Sequence, residues 1–181
     1  VRSIVSSPLA DRIAENYGVT MKAVLTGFKY IGGEILELEQ KGEQNKYIFG
    51  FEECCGYLKG TYARDKDAVA TSLLIAEMAA YYKSQGKTLY SVLMEMYEKY
   101  GYYKELGISN VVKGIDPMKT MREKMATLRA DALREIDGVE VLRIRDYKSG
   151  EITNLKDHSV SSTNLPSSDV LRFGLENGDV I

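Results

Sequence analysis

Tryptophan is absent from the 181 residues, histidine occurs once and cysteine twice. Each scarcity closes a route. Two adjacent cysteines, Cys54 and Cys55, cannot cross-link a small secreted scaffold, so a reduced, cytoplasmic compartment is the expectation. Nor do they have the two-to-four-residue spacing of a zinc pair or the C-x-x-C pattern of a redox motif, and His158 lies far along the chain. Small fillers, partly buried, is the expected role for both thiols. Charge of one sign is also missing. A net charge of −2 and a pI near 5.6 give no support for nucleic-acid binding. No apolar run approaches the ~20 residues of a membrane helix. The opening VRSIVSSPLADR lacks the apolar stretch of a secretion signal.

What is present suits a packed α/β protein. Hydrophobic residues make up 44% of the chain, enough for a core. VRSIV and VTMKAVLTG read as strands, and KYIFGF as a short strand covered on both faces. Between them, Ser7-Pro8 predicts a helix start, followed by Leu9, Ile13 and Tyr17 at helical spacing, with Gly18 as the stop. Phe28, Ile31, Ile35 and Leu38 lie on one helical face, and Gly42 ends that segment. Asp65 is the expected cap of a long helix with Val69, Leu73, Ala76 and Ala80 along one face. A further helix follows Thr88, with Leu89, Val92, Leu93, Met96 and Tyr97 on one side. Asp116-Pro117 starts another, whose Met118, Met121, Met125 and Leu128 are expected to fill a core.

From about residue 135 the pattern turns β-like. VEVLRIRDY places Leu142 and Ile144 on one face and Arg143 and Arg145 on the other. Ser149-Gly150 marks a hairpin turn, HSVSSTNLPSSD reads as loop, and VLRFGLE as a strand. Asn177-Gly178 predicts a type I′ hairpin turn with little chain left to return, so the sequence reads as a piece of a longer protein. Alternating strands and helices predict a mostly parallel sheet with helices on both faces, followed by an incomplete α+β piece. The boundaries expected are 1–115 for the first domain, 116–134 for a connecting helix and 135–181 for the second piece.

The stretch FGFEECCGYLKG packs two carboxylates, two thiols and three glycines into twelve positions. Ligands of open α/β sheets bind beyond the carboxyl ends of strands. LTGFK and GFEECCGY both leave strand ends, which places Glu52 and Glu53 at that rim. A carboxylate only accepts hydrogen bonds, so it suits a hydroxyl-rich ligand such as a sugar. Arg64 and Lys66 lie at a helix start, where they can complement an anion. A solvated loop and a surface charge cluster remain the alternatives. No nucleophile–base pair, P-loop or metal-ligand cluster stands out.

Taken in order, LTGFKYIGGEI, FGFEECCGYLKG, RDKDAVATSLLIAEMAAYYKSQGKTL and EKYGYY resemble the third domain of the α-D-phosphohexomutases, bacterial phosphoglucomutases and phosphomannomutases above all. DYKSGEITNLKDHSVSSTNLPSSDVLRFGLENGDVI is more weakly similar to the start of their fourth, phosphate-binding domain. The resemblance implies an intramolecular phosphotransferase that interconverts hexose 1-phosphate and hexose 6-phosphate through a hexose 1,6-bisphosphate intermediate. It implies a sugar-recognition loop of pattern G-E-E-S, which reads here Phe51-Glu52-Glu53-Cys54, with cysteine in the serine's place. Thr26 and Gly27 match the family's Thr-Gly loop, and Arg64 and Lys66 its R-x-K-D motif. Those six residues, Glu52, Cys54, Thr26, Gly27, Arg64 and Lys66, are the implied substrate contacts, and none is implied to be catalytic.

The family's phosphoserine loop, its D-G-D-x-D-R magnesium loop and its R-P-S-G-T-E-P-K phosphate loop do not occur in this sequence. By the resemblance, Mg2+ and the missing domains of the same polypeptide complete the enzyme, and this chain alone is expected to be inactive. The implied partner is a phosphosugar, with no nucleic acid and no membrane. A non-catalytic sugar- or nucleotide-binding α/β module and a free-standing interaction domain are the rival readings.

Overall fold

Ile31, Ile35, Leu58 and Val24 all lose their contact with water, and they come from three separate stretches of chain. A computed structural model describes all residues, Val1–Ile181, and shows how they meet. The chain forms two compact units, Val1–Leu106 and Gly107–Ile181. The first unit runs β1 (Arg2–Ser3), α1 (Leu9–Asn16), β2 (Ala23–Val24), α2 (Phe28–Gln40), β3 (Phe49–Glu52), β4 (Gly56–Lys59), α3 (Ala68–Ser84) and α4 (Leu89–Tyr100). Its sheet has the order β2-β1-β3-β4. β1 pairs in parallel with both β2 and β3, and β4 returns antiparallel along β3. The sheet is therefore mostly parallel, as the alternating pattern predicts.

The strands VRSIV and VTMKAVLTG shrink to two paired residues each. In the first, the Ser6 amide bonds back to the Ser3 carbonyl at 3.2 Å and turns the chain out of the sheet. Ser7 accepts from the Leu9 amide at 3.3 Å, so the helix opens one residue later than Ser7-Pro8 implies. α2 follows its sequence pattern closely. Phe28, Ile31 and Ile35 are buried and pack on the sheet with Tyr47 and Leu58, with Leu38 against them. At Gly32 the helix runs so close to the next segment that a Cβ would lie 2.7 Å from the Arg64 carbonyl oxygen.

Alternation along the β3–β4 hairpin decides which side chains face α2. Gly50, Glu52, Gly56 and Leu58 are buried. Phe49, Phe51 and Tyr57 project the other way, and the Phe49 ring packs at a tilt against the other two, with centroids 6.1 and 6.2 Å apart. The stretch that reads as an opening loop is thus mostly strand, and only Glu53-Cys54-Cys55 turns.

Tyr47 closes this core. Its hydroxyl donates to the Leu58 carbonyl at 3.1 Å, and burial pushes its pKa up to about 12. The neutral phenol is the form the fold holds, so its contribution is complete below the ordinary value near 10 and lost as pH rises toward 12. Tyr47→Phe is expected to cost about 1 kcal/mol at neutral pH. It is also expected to flatten the alkaline fall in stability between those two values, read by denaturant unfolding at several pH values.

Of the last two helices of this unit, one departs from expectation. α3 is capped by Asp67, whose carboxylate accepts from the Val69 and Ala70 amides at 2.8 and 3.2 Å. Asp65 instead accepts from Lys66 N. The face of Val69 and Leu73 is exposed, at 81% and 62%, and Thr71 is the buried residue of the helix. Apolar residues lie all round α3, so their spacing selects no face. α4 begins with the expected Thr88, which forms a reciprocal capping box with Ser91.

The second unit comprises α5 (Pro117–Ala130) and strands β5 (Glu135–Ile136), β6 (Val139–Asp146), β7 (Glu151–Asn154), β8 (Val160–Ser162) and β9 (Leu171–Leu175). Asp116 caps α5 through the Lys119 amide, with Pro117 in the first turn as the sequence predicts. Its methionines do not fill a core: Met118 and Met121 are 65% and 37% exposed, while Arg129 bonds Asp146 of β6. All strand pairs are antiparallel. The core joins Val141, Phe173 and Leu175, with Ile144 against them, whereas simple alternation groups Ile144 with Leu142. A register shift between Val141 and Arg143 inserts the extra residue that changes the facing side chain.

β8 lies within the stretch that reads as loop, where alternating serines carry too little apolar signal to mark it. The final hairpin does return, through a Gly174–Val180 bridge and paired Phe173–Ile181 bonds. Only Gly178 takes positive φ there, at 92°, so the turn is not type I′.

Candidate functional site

Glu52 ends β3 on the face turned toward α2, which buries its side chain to 4% exposure. A lone carboxylate there would be costly. Two partners offset the burial. Oε1 accepts from Lys66 Nζ at 2.8 Å, and Oε2 accepts from the Gly27 amide at 3.2 Å. Gly27 immediately precedes α2, so the carboxylate meets the positive end of a 13-residue helix. Gly27 takes φ 119°, a backbone that favours glycine, and this aims its N–H at Glu52. Gly56, directly across the hairpin, supplies the space. A Cβ there would sit 2.6 Å from Glu52 Cγ and 3.0 Å from a Phe28 ring carbon.

Lys66 reaches in from the segment before α3 while its side chain stays 44% exposed. The bond to Glu52 raises its pKa above the ordinary lysine value. The ammonium and the Gly27 N–H occupy one acceptor direction on each carboxylate oxygen. An ionised carboxylate has about four such directions. The remaining ones have no donor within the chain.

Among the six residues singled out by sequence, Glu52, Gly27 and Lys66 form one cluster. Thr26 is exposed beside Gly27, with its hydroxyl unused within the chain. Cys54 stands at the hairpin tip, where Sγ lies 3.6 Å from Glu53 Oε1 and the Glu53 charge raises its thiol pKa. Both cysteines are exposed, not the partly buried fillers expected, because the tight turn projects its central residues away from the sheet. Arg64 is engaged elsewhere: its guanidinium pairs with Glu39 and donates to the Thr61 and Ala63 carbonyls at 2.8 and 3.2 Å.

A second network escapes the sequence reading. Glu53 Oε2 accepts from Ser3 Oγ at 2.6 Å, and Ser3 Oγ lies 2.9 Å from Ser6 Oγ. Buried Arg2 grips Asp11 through two bonds of 2.6 and 2.7 Å and donates to the Ser3 and Ser6 carbonyls. The arginine thereby fixes the serine turn that holds Glu53. The available signal was an arginine and a serine inside the apolar run VRSIV. No group of three or more His, Cys, Asp or Glu side chains is placed to hold a metal. The residues present do not fit a magnesium site.

This scaffold and cluster define a class. Residues 1–100 match the model of phosphoglucomutase/phosphomannomutase, alpha/beta/alpha domain III, and the chain belongs to that family. The phosphoglucomutases of two Staphylococcus aureus strains, bovine RF122 and USA300, are each 36% identical to it over 178 residues. That of Staphylococcus saprophyticus is 33% identical. Each alignment covers 98% of this chain and 32% of the relative, so the chain spans about a third of the length of these curated relatives. Among solved structures, the open form of pp63/parafusin, a phosphoglucomutase from Paramecium, superposes with a TM-score of 0.57 at 19% identity, over 99% of this chain and 28% of that one. That likeness concerns the fold. No helix is long and apolar enough to cross a membrane.

Proposed function

We propose that this chain recognises the sugar of a hexose phosphate within a longer phosphohexomutase. In that enzyme 1–115 is the sugar-recognition domain, 116–134 the connecting helix and 135–181 the start of the phosphate-binding domain. The observation that carries the reading is the buried Glu52 carboxylate, held by Gly27 N–H and Lys66 with acceptor capacity to spare. Glu52 takes sugar hydroxyls, Lys66 adds positive charge beside a phosphosugar, and Thr26 and Cys54 border the same rim. Arg64, bound to Glu39, contributes by holding the Lys66 segment against α2.

The reaction proposed for the longer enzyme is exchange of a phosphoryl group between the 1- and 6-hydroxyls of a hexose, with magnesium and the phosphorylating group supplied from outside this chain. Phosphoryl transfer depends on positioning and charge stabilisation, and these residues supply positioning. The chain alone is expected to bind glucose 1-phosphate weakly and to convert none of it. A coupled assay for glucose 6-phosphate checks this, and turnover by the purified chain would contradict it.

A further inference from the structure

Cys54 and Cys55 sit at the turn joining β3 to β4, and both are free and exposed. No peptide bond in the chain is cis, so their Cα atoms stand about 3.8 Å apart. Cys55 has φ 53°, a left-handed backbone that a non-glycine residue adopts at a cost. On one side the turn is held by Glu53, bonded to Ser3; on the other lies Gly56, packed against the Glu52 side chain. Two adjacent exposed thiols at a tip this constrained take no part in the core and make no hydrogen bond to Glu52, Gly27 or Lys66.

We propose that Cys54-Cys55 is a reversible thiol-oxidation site, closed into a disulfide between neighbours by a low-molecular-weight disulfide, and that closure loosens the Glu52 cluster. One thiolate attacks a sulfur of the small disulfide RSSR and expels RS⁻, which takes up a proton. The second thiolate attacks the protein-bound sulfur of the mixed disulfide and expels another RS⁻, also protonated. The cysteines lose two protons and two electrons, and RSSR leaves as two RSH.

The geometry makes this bond labile. A Cα separation of about 3.8 Å falls short of the ~4.4–6.8 Å usual for disulfides, so the ring is strained. Exposed, strained disulfides are readily reduced and serve regulation more than structure. The strain is transmitted because the turn is only three residues long and its ends, Glu52 and Gly56, are paired in the hairpin. With Gly56 packed against Glu52 Cγ, a shift of the tip displaces the carboxylate from Gly27 and Lys66. The Glu53 charge raises the Cys54 pKa and so keeps its thiolate scarce at neutral pH, which makes the exchange slow there and faster as pH rises.

The consequence for ligand binding rests on the sugar-recognition reading; the thiol chemistry does not. The test is incubation of the chain with oxidised glutathione, alkylation of unreacted thiols and measurement of intact mass. Expected is the loss of both free thiols, a mass lower by two hydrogens with no glutathione retained, and full reversal by dithiothreitol. Cys54→Ser and Cys55→Ser are each expected to retain one glutathione. Two unreacted thiols, glutathione left on the unsubstituted chain, or disulfide-linked dimers would overturn the site. The coupling is read without any sugar, from hydrogen exchange of the Gly27 amide, which bonds Glu52. Oxidation is expected to speed it about tenfold, and an unchanged rate would overturn the coupling. Glucose 1-phosphate titration of the reduced chain separately tests the sugar reading.

Discussion

Glu52→Ala is expected to lower kcat/KM for glucose 1-phosphate by about 30- to 1000-fold in the longer phosphohexomutase proposed for this chain, corresponding to ~2–4 kcal/mol of lost transition-state binding. The size follows from burial. The carboxylate is 4% exposed and bonded to both Lys66 and Gly27. Alanine removes the acceptor proposed for the sugar and leaves the Gly27 N–H and the Lys66 ammonium without their shared partner. Glu52→Gln separates charge from shape. Its amide oxygen can still accept from Gly27, but its NH2 then faces the Lys66 ammonium, donor against donor. The glutamine variant is therefore expected to fold normally, by its denaturant midpoint, and still lose most of the activity. Full activity in both variants would mean that Glu52 only fills space.

Gly56→Ala is the second large effect, and it acts through the same carboxylate. The added Cβ would stand 2.6 Å from Glu52 Cγ, 2.9 Å from Oε1 and 3.0 Å from a Phe28 ring carbon. The Phe28 ring is buried at the start of α2 and cannot yield far, so Glu52 must move. The expected cost is ~1–3 kcal/mol of stability, together with weaker binding of glucose 1-phosphate, read by denaturant unfolding and by calorimetric titration. Gly33→Ala provides the contrast. It lies in α2 with nothing within 4 Å of its Cβ position, so the change is expected to stabilise by ~0.5–1 kcal/mol through helix propensity.

How far the sequence revealed this molecule depends on the range of the interactions involved. α2 was legible because Phe28, Ile31 and Ile35 at helical spacing all face one core. The α4 and α5 starts were legible because their caps are local bonds from Thr88 and Asp116. α3 was legible as a helix, but its cap and its buried face were not, since a helix apolar all round gives periodicity no face to report. Leu142 was grouped with Ile144 because a bulge depends on the partner strand, which alternation within one strand does not contain.

The site divides along the same line. Glu52, Gly27 and Lys66 were each marked by residue type and by the family likeness, but their convergence at 2.8 and 3.2 Å spans separations of 14 and 25 residues and needed coordinates. The Arg2–Asp11 pair and the Ser3–Glu53 bond were hidden for a different reason. A buried, fully paired arginine in a short strand has no distinctive sequence pattern, and the flanking valines and isoleucine make the stretch read as simply apolar. The thiols were misplaced because cysteine is so often buried, whereas here the three-residue turn leaves them no core to enter.

The Glu52 carboxylate, anchored at the start of α2, is proposed to hold the sugar of a hexose phosphate. Amide resonances of the chain followed during titration with glucose 1-phosphate test this most directly. Saturable shifts are expected at Gly27 and Phe28 and at the Glu53–Cys55 turn, absent in Glu52→Gln. Shifts confined to other parts of the chain, or the same shifts in Glu52→Gln, would contradict it.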